Sequence, residues 1–294
     1  MKRLLPILGV FLVLSALVMA QRRSRGGFGG GGGEGGFGGD GAHTAREVPS
    51  HSTGTPVWEN PRGFTKDVFT FARIRYSAGF GGYGGRGSGW MTDAPDSDLN
   101  LSYRLQQMTS MKVDPDGRFV NLTDPELSDF PWIYIVEPGR LGFTEEEVVA
   151  LRKYLLNGGF LMFDDFWGES AWQNVAREMK RVFPDRAFGE LSLDHPLYHC
   201  VFSIKSKGQV PNVGTGERSQ DDGVTWENHD GDTQTVHHRA ISDDKGRMMV
   251  FAAHNTDNGD GWEREGEFEY YFKNFSEKIA YPLGINLIFY AMTH

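Results

Sequence analysis

The chain has 294 residues, a formal charge of −9 and one cysteine. That acidic balance argues against nucleic-acid binding, which depends on neutralising phosphates. A lone cysteine excludes an intramolecular disulfide scaffold, so stability has to come from a buried core.

The chain begins Met1-Lys2-Arg3, continues with an apolar run over residues 4–18 and reaches Val18-Met19-Ala20 before Gln21. A basic start, an apolar stretch short for a bilayer and small residues at a cleavage position are the parts of a secretory signal peptide. The expectation is an exported protein, periplasmic or extracellular, with no integral membrane span once residues 1–20 are removed. An uncleaved anchor is the alternative. Loss of Lys2 and Arg3 with the signal would take the charge from −9 to −11. No lipid-attachment cysteine follows Ala20.

Residues 21–56 are expected to form a disordered, glycine-rich linker, because glycine loses the most backbone entropy on ordering and offers nothing to pack. A surface-associating role for its Phe28 and Phe37 is the second reading. From Val57 the composition turns globular, and about 240 residues is an ordinary length for one α/β domain.

Residues 67–76 alternate apolar and polar β-formers and predict a strand. A second glycine-rich loop follows over 79–89. Residues 98–111 place Leu101, Leu105 and Met108 on one helical face. Pro131 introduces Trp132-Ile-Tyr-Ile-Val136, a run of buried-strand length. Thr144-x-x-Glu147 is a capping box, opening a helix that Gly158-Gly159 ends. Phe160-Leu-Met-Phe163 reads as a buried strand stopped by Asp164-Asp165. Ser170-x-x-Gln173 predicts a second capped helix ending before Pro184. Residues 206–244 read as a long irregular insertion, 248–253 as a strand, and 275–292 as a helix interrupted at Pro282 and Gly284. Alternating strands and helices build right-handed parallel crossovers, so the expected fold is a three-layer α/β domain over 57–294 with a mostly parallel, doubly wound sheet.

Ligands of such sheets sit beyond the carboxyl ends of the strands. That rule selects Arg75 and Tyr76, Glu137, Asp164-Asp165 with Trp167, and His254-Asn255-x-Asp257. Asp164 and Asp165, with His254, are the candidates for catalysis; two carboxylates there could equally hold a cation or satisfy a turn and an arginine such as Arg73 or Arg75. His195 and His199, with Asp164, are weak candidates for metal ligation, and a structural loop is the favoured reading of the two histidines. Residues 254–262 resemble a calcium loop in their alternating oxygen side chains but lack its terminal glutamate spacing. Asp93 is a further ligand-binding candidate, in a segment leading into a helix for which Asp96 or Asp98 is favoured as a plain N-cap. Trp90, Trp167 and Trp262 would wall a cleft or lid the core.

These residues resemble the family called domain of unknown function 4159. The likeness rests on Arg73-x-Arg75-Tyr76, Trp90-x-x-Asp93, Asp98-Leu-Asn-Leu101, Asp124-Pro-Glu-Leu127, Gly158-Gly-Phe-Leu161 running into Asp164-Asp165-Phe-Trp167, Arg181-Val-Phe-Pro184, His195-Pro196, and His254-Asn255 with Gly259-Asp-Gly-Trp262. It extends over nearly all of 69–294. The resemblance implies a flavodoxin-like layout related to class I glutamine amidotransferases, and no agreed catalytic residues. Those enzymes carry a nucleophilic cysteine on a glycine-flanked elbow. Cys200 stands in Tyr198-His-Cys-Val-Phe202 without such glycines and reads as a small buried thiol. Asp164 occupies the elbow-like position.

Two functions follow as expectations. The first is a non-catalytic module of the cell envelope that binds a small ligand or an envelope protein. The second is a hydrolase using Asp164, Asp165 and His254, with or without metal assistance. The sequence indicates no cofactor, with a divalent cation as the open option.

Overall fold

The computed structural model describes residues 41–61, 63, 67–77 and 89–294. The signal-type segment 1–20, residues 21–40 of the glycine-rich spacer and most of the second glycine-rich loop lie outside the described residues. Seven strands form one sheet in the order β2-β1-β3-β4-β7-β6-β5. They are β1 (Ala72–Arg75), β2 (Arg118–Asn121), β3 (Trp132–Val136), β4 (Phe160–Phe166), β5 (Gly189–Glu190), β6 (His237–Ser242) and β7 (Met248–His254). The five strands from β2 to β7 pair in parallel, and β6 and β5 close the far edge antiparallel. The chain runs from β1 outward to β2 and then returns to β3 on the other side of β1. This reversal is the doubly wound switch that opens a crevice between neighbouring strand ends.

The helices are α1 (Asp96–Met108), α2 (Glu145–Leu156), α3 (Gly168–Val182), α4 (Val213–Asp222), α5 (Asn258–Glu263), α6 (Glu269–Tyr271) and α7 (Tyr281–Thr293), with a π-helical segment, Phe272–Ala280, leading into α7. Strand β3 is buried along its whole length, as a parallel strand covered on both faces must be. Its Ile133 and Ile135 join Leu161 and Phe163 of β4 under α2 and α3. Trp132, Tyr134 and Val136 join Phe160 and Met162 on the opposite face, under α1, α5 and α7. Period-two alternation thus fills two cores from the same strands, giving the three layers.

The described structure corrects several local expectations. The strand over 67–76 contracts to β1, with Phe69 making only an isolated bridge to Val113. Strand β4 does not stop at Asp164-Asp165. It continues to Phe166 through a bulge in which both aspartates face one residue of β7, and Asp165 takes a left-handed φ of 52°. Neither Asp96 nor Asp98 caps α1: Asp96 accepts from Ser50 Oγ and His51 N, and Asp98 pairs with Arg73. The Thr144–Glu147 capping box forms as expected. Ser170 does not cap, since α3 already starts at Gly168 and Asp230 receives both the amide and the hydroxyl of Ser170.

The polar stretch 206–244 contains α4 and β6 rather than an irregular insertion. Residues 275–292 are helical without a break, and Pro282 falls just after the change from the π-helical segment to α7. A Cβ on Gly284 would approach Trp262 to 2.8 Å, so the glycine permits α7 to lie against α5. Residues in the spacer's last part are packed. Ala45 is fully buried, the Arg46 guanidinium donates to Pro115, Thr55 and Pro56 carbonyls, and Thr55 bonds Asn100.

Candidate functional site

The carboxyl ends of β3, β4 and β7 carry an acidic edge whose backbone is unusual. Among the described residues, the four non-glycine positions with positive φ are Asp93, Glu137, Asp165 and Asn255. Asp93 lies in the loop before α1, Asp165 in the β4 bulge, and Glu137 and Asn255 directly after β3 and β7, and sparsely populated backbone conformations persist only where the surroundings enforce them.

Arg73 provides part of that enforcement. Its buried guanidinium donates through Nε to both oxygens of Asp98 at 3.1 and 3.0 Å and through Nη1 to the carbonyls of Trp90 and Thr92 at 3.0 and 2.8 Å. Ser97 Oγ and Asp98 take Nη2. Burial works against the charge, but the Asp98 carboxylate outweighs it and holds the Arg73 pKa above its ordinary value. The Trp90–Thr92 turn is thereby tied down immediately before Asp93.

Asp164 is a fully satisfied buried carboxylate. Tyr134 Oη donates to Oδ2 at 3.0 Å, the Gly259 amide to Oδ2 at 2.9 Å, and Asn258 Nδ2 to Oδ1 at 2.8 Å. Burial raises it to about 6 despite these donors. Among the described residues no arginine reaches it, so neither Arg73 nor Arg75 plays the partner role the sequence suggested for Asp164.

Asp93, Asp165 and Asp257 each place a carboxylate oxygen within 4.8 Å of the other two. Asp165 uses Oδ1 to accept from Trp167 Nε1, and Asp257 uses Oδ1 to cap α5 through the Asp260 amide. Their second oxygens have no hydrogen bond among the described residues. Among the described residues nothing donates to the Asp93 side chain, and its Oδ2 is buried. Asp93 and Asp165 are partly exposed and Asp257 is buried, so the trio opens to the surface. All three pKa values are raised well above the carboxylate range, by burial first and then by mutual repulsion with Asp260, Asp164, Glu137, Glu227 and Glu263.

Asp93 also converges with Asp260 and Glu263. There the charge is partly met: Asp260 Oδ2 accepts from the Val213 amide, and Arg264 Nε stands 2.8 Å from Glu263 Oε2. Tyr134 was not among the sequence candidates, and Asn258, Gly259, Asp260 and the neighbouring Glu263 entered the sequence reading only through the calcium-type loop of residues 254–262. The available signal was Asp257-x-x-Asp260-x-x-Glu263, whose i, i+3 spacing puts three carboxylates on one side of a short helix.

The other candidates are distributed as follows. His254 lies on the α3 side of the sheet, stacked on Phe166 and Trp172. Arg239 can only donate, so Nδ1 accepts from it, and Nε2 carries the proton that bonds the Gly168 carbonyl at 2.9 Å. Burial lowers His254 to about 4. Tyr76 Oη donates to the Val136 and Glu137 carbonyls, Arg75 bonds Ala42 and covers the Trp90 ring, and Trp262 is wholly buried against Tyr134. Asn255 knits the loop of Asp232 and Thr235 to the start of α3. Trp167 stacks on His229.

His195 and His199 do not join Asp164. His195 Nδ1 accepts from Leu197 N, and His199 Nε2 pairs with the Leu193 carbonyl, which leaves them as loop-shaping groups. The calcium-type loop is instead a helix start, because Asp257 caps α5. Cys200 corrects the expectation of a buried thiol: the residue is exposed, with Sγ held against the Leu197 and Asn286 carbonyls. Partial burial raises its pKa, the opposite of what an activated nucleophile needs.

Among the described residues no helix is long and apolar enough to cross a membrane. No curated protein matches the chain in sequence. A family profile described as "Domain of unknown function (DUF4159)" matches residues 70–292, across the whole sheet and every residue of the acidic edge, and the chain belongs to that family.

Proposed function

We propose that the acidic edge is a site for a hard divalent cation, through which the domain binds an oxygen-bearing ligand without catalysing its conversion. The observation that carries this reading is the trio Asp93, Asp165 and Asp257, with converging oxygens, open lone pairs and a buried, unpartnered Asp93 Oδ2. Oxygens up to 4.8 Å apart suit a cation with metal–oxygen distances of about 2.1–2.5 Å. All-carboxylate donors favour calcium, magnesium or manganese over softer metals. Three protein ligands leave coordination positions for water or for a ligand's carboxylate, phosphate or hydroxyl groups. The cation would also relieve the repulsion that raises these pKa values.

The hydrolase reading lacks such support. His254 has both ring nitrogens engaged and lies across the sheet from Asp164, whose own oxygens are saturated. We further propose that the protein is exported and acts in the envelope or outside the cell, on the strength of the Met1–Ala20 pattern.

The test is thermal unfolding of the chelator-treated protein titrated with calcium, magnesium, manganese and zinc. Ligand binding to the folded state alone stabilises by about 2.7 kcal/mol at a hundredfold excess over Kd. For a domain of this size that moves Tm by several degrees. Absence of a shift with all four ions would remove the proposal.

A further inference from the structure

A cavity apart from the acidic edge lies between the loop 202–208, strand β6 and the junction of the π-helical segment with α7. Its volume is about 440 Å³, within the range of small-ligand pockets. None of Asp93, Asp165 or Asp257 lines it.

Its inner wall is His238, which is 1% exposed. Tyr198 stacks on the imidazole and bonds Nδ1 through its hydroxyl at 2.9 Å, and Phe251 packs against the ring. The His238 amide donates to Glu190 Oε1 and its carbonyl accepts from the Leu191 amide. Tyr198 takes Nδ1, which leaves the opposite edge of the ring. On that edge Nε2 is buried and has no hydrogen-bond partner among the described residues. Burial, with Lys207 and His237 nearby, keeps the ring neutral, down at about 3. A buried polar atom in a native fold ordinarily has a partner, so an unmatched one on a residue that lines a cavity points to a ligand.

The remaining lining sorts by depth. Leu283 is buried and Phe202, Ile204 and Ile279 are partly buried, forming apolar walls. Lys205 and Lys278 are exposed at the mouth, where Lys278 Nζ donates to Asn274 Oδ1 at 2.8 Å. Two ammonium groups over an apolar cavity stand out in a chain of net charge −9.

We propose that this cavity binds a compact amphipathic carboxylate, its anionic end at Lys205 and Lys278, its apolar body against Ile279 and Leu283, and a hydroxyl at its far end bonded to His238 Nε2. A hydroxyl both donates and accepts, so it meets either imidazole tautomer.

Calorimetry or NMR titration of the full chain in the presence of chelator tests this with three probes. The expected order is saturable binding of 4-hydroxybenzoate, binding of benzoate weaker by about tenfold, the effect of about one lost hydrogen bond, and no binding of the uncharged 4-hydroxybenzyl alcohol. The double variant Lys205→Ala, Lys278→Ala, which alters only exposed side chains, should lose 4-hydroxybenzoate binding. His238→Phe should bind the two benzoates equally. Should His238→Phe fail to fold, the wild-type comparison of the two benzoates decides the role of Nε2 by itself. Equal affinity of the wild type for both benzoates would overturn the assignment of His238. No saturable binding of 4-hydroxybenzoate, or binding that the lysine variant leaves intact, would overturn the site.

Discussion

The Asp93 carboxylate rests against the bare Cα of Gly259. A Cβ built on that glycine would collide with Asp93 Oδ2 and stand 3.0 Å from the Tyr134 hydroxyl, so the first turn of α5 and the loop before α1 meet only because residue 259 has no side chain. The same Gly259 amide bonds Asp164, which seats α5 on the end of β4.

Gly259→Ala should therefore displace Asp93 from its neighbours while leaving every carboxylate in the sequence. The expected cost is about 1–3 kcal/mol of stability, typical of overpacking a tight contact, together with loss of the metal-induced Tm shift. Urea unfolding with and without calcium checks both parts. An unchanged shift in a stable variant would contradict the placement of Asp93 at the cation.

Neutralising the trio should have opposite effects with and without metal. In chelator near pH 7.5, Asp165→Asn or Asp257→Asn removes like-charge repulsion and should stabilise by about 1 kcal/mol, the scale of one pKa unit. Asp257→Asn can still accept from the Asp260 amide, which preserves the α5 cap. In saturating cation both variants should be less stable than the parent. A loss of stability in both conditions would favour a structural role for these residues.

Arg73 and Asp98 form a wholly buried ion pair. Asp98→Asn or Arg73→Met alone leaves an uncompensated group and should cost about 3–5 kcal/mol. Because Arg73 also holds the Trp90 and Thr92 carbonyls, the Met variant should weaken cation binding more than the Asn variant does. Comparing apparent Kd values of the two, where both remain folded, separates the scaffold effect from the charge effect.

The pH dependence of the metal-free protein should pass through a maximum. Asp164, at about 6, and Glu263, at about 8, bind protons more tightly folded than unfolded, as do Asp93, Asp165 and Asp257. Folding is therefore favoured as pH falls from above 8 towards the range where these groups are protonated. His254, at about 4, and His238, at about 3, are held neutral, so the unfolded chain takes up protons first once pH drops below about 6.5 and stability is then lost. Tm should peak near neutrality in chelator. Added cation should raise the alkaline limb most, since it favours the ionised carboxylates. A Tm that climbs steadily up to pH 9 in chelator would contradict the raised carboxylate values.

The elements most legible in the sequence were those governed by local rules. The Thr144–Glu147 box, the fully apolar runs of β3, β4 and β7 and their alternation with helices were enough to indicate a mostly parallel α/β sheet and the strand ends at which polar groups would gather. Capping geometry and buried-strand composition act over a few residues, so they survive without knowledge of the partners. The bulge at Asp164-Asp165, the β6 strand inside a polar stretch and the packed residues around Ala45 each depend on a distant neighbour, and their sequences carried no local mark of it.

The site divides along the same line. Sequence alone determined that Asp93, Asp165 and Asp257 would stand at strand or helix ends, because acidic residues directly after apolar runs or ahead of a helix have few other places to go. Only the tertiary structure decided that these three converge while Asp164 is consumed by Tyr134, Asn258 and Gly259, and that His254 turns to the other face. Strand alternation and the β4 bulge send neighbouring side chains to opposite sides of the sheet, and which ones share a side depends on register across β3, β4 and β7, a property of the folded pairing that no single segment contains.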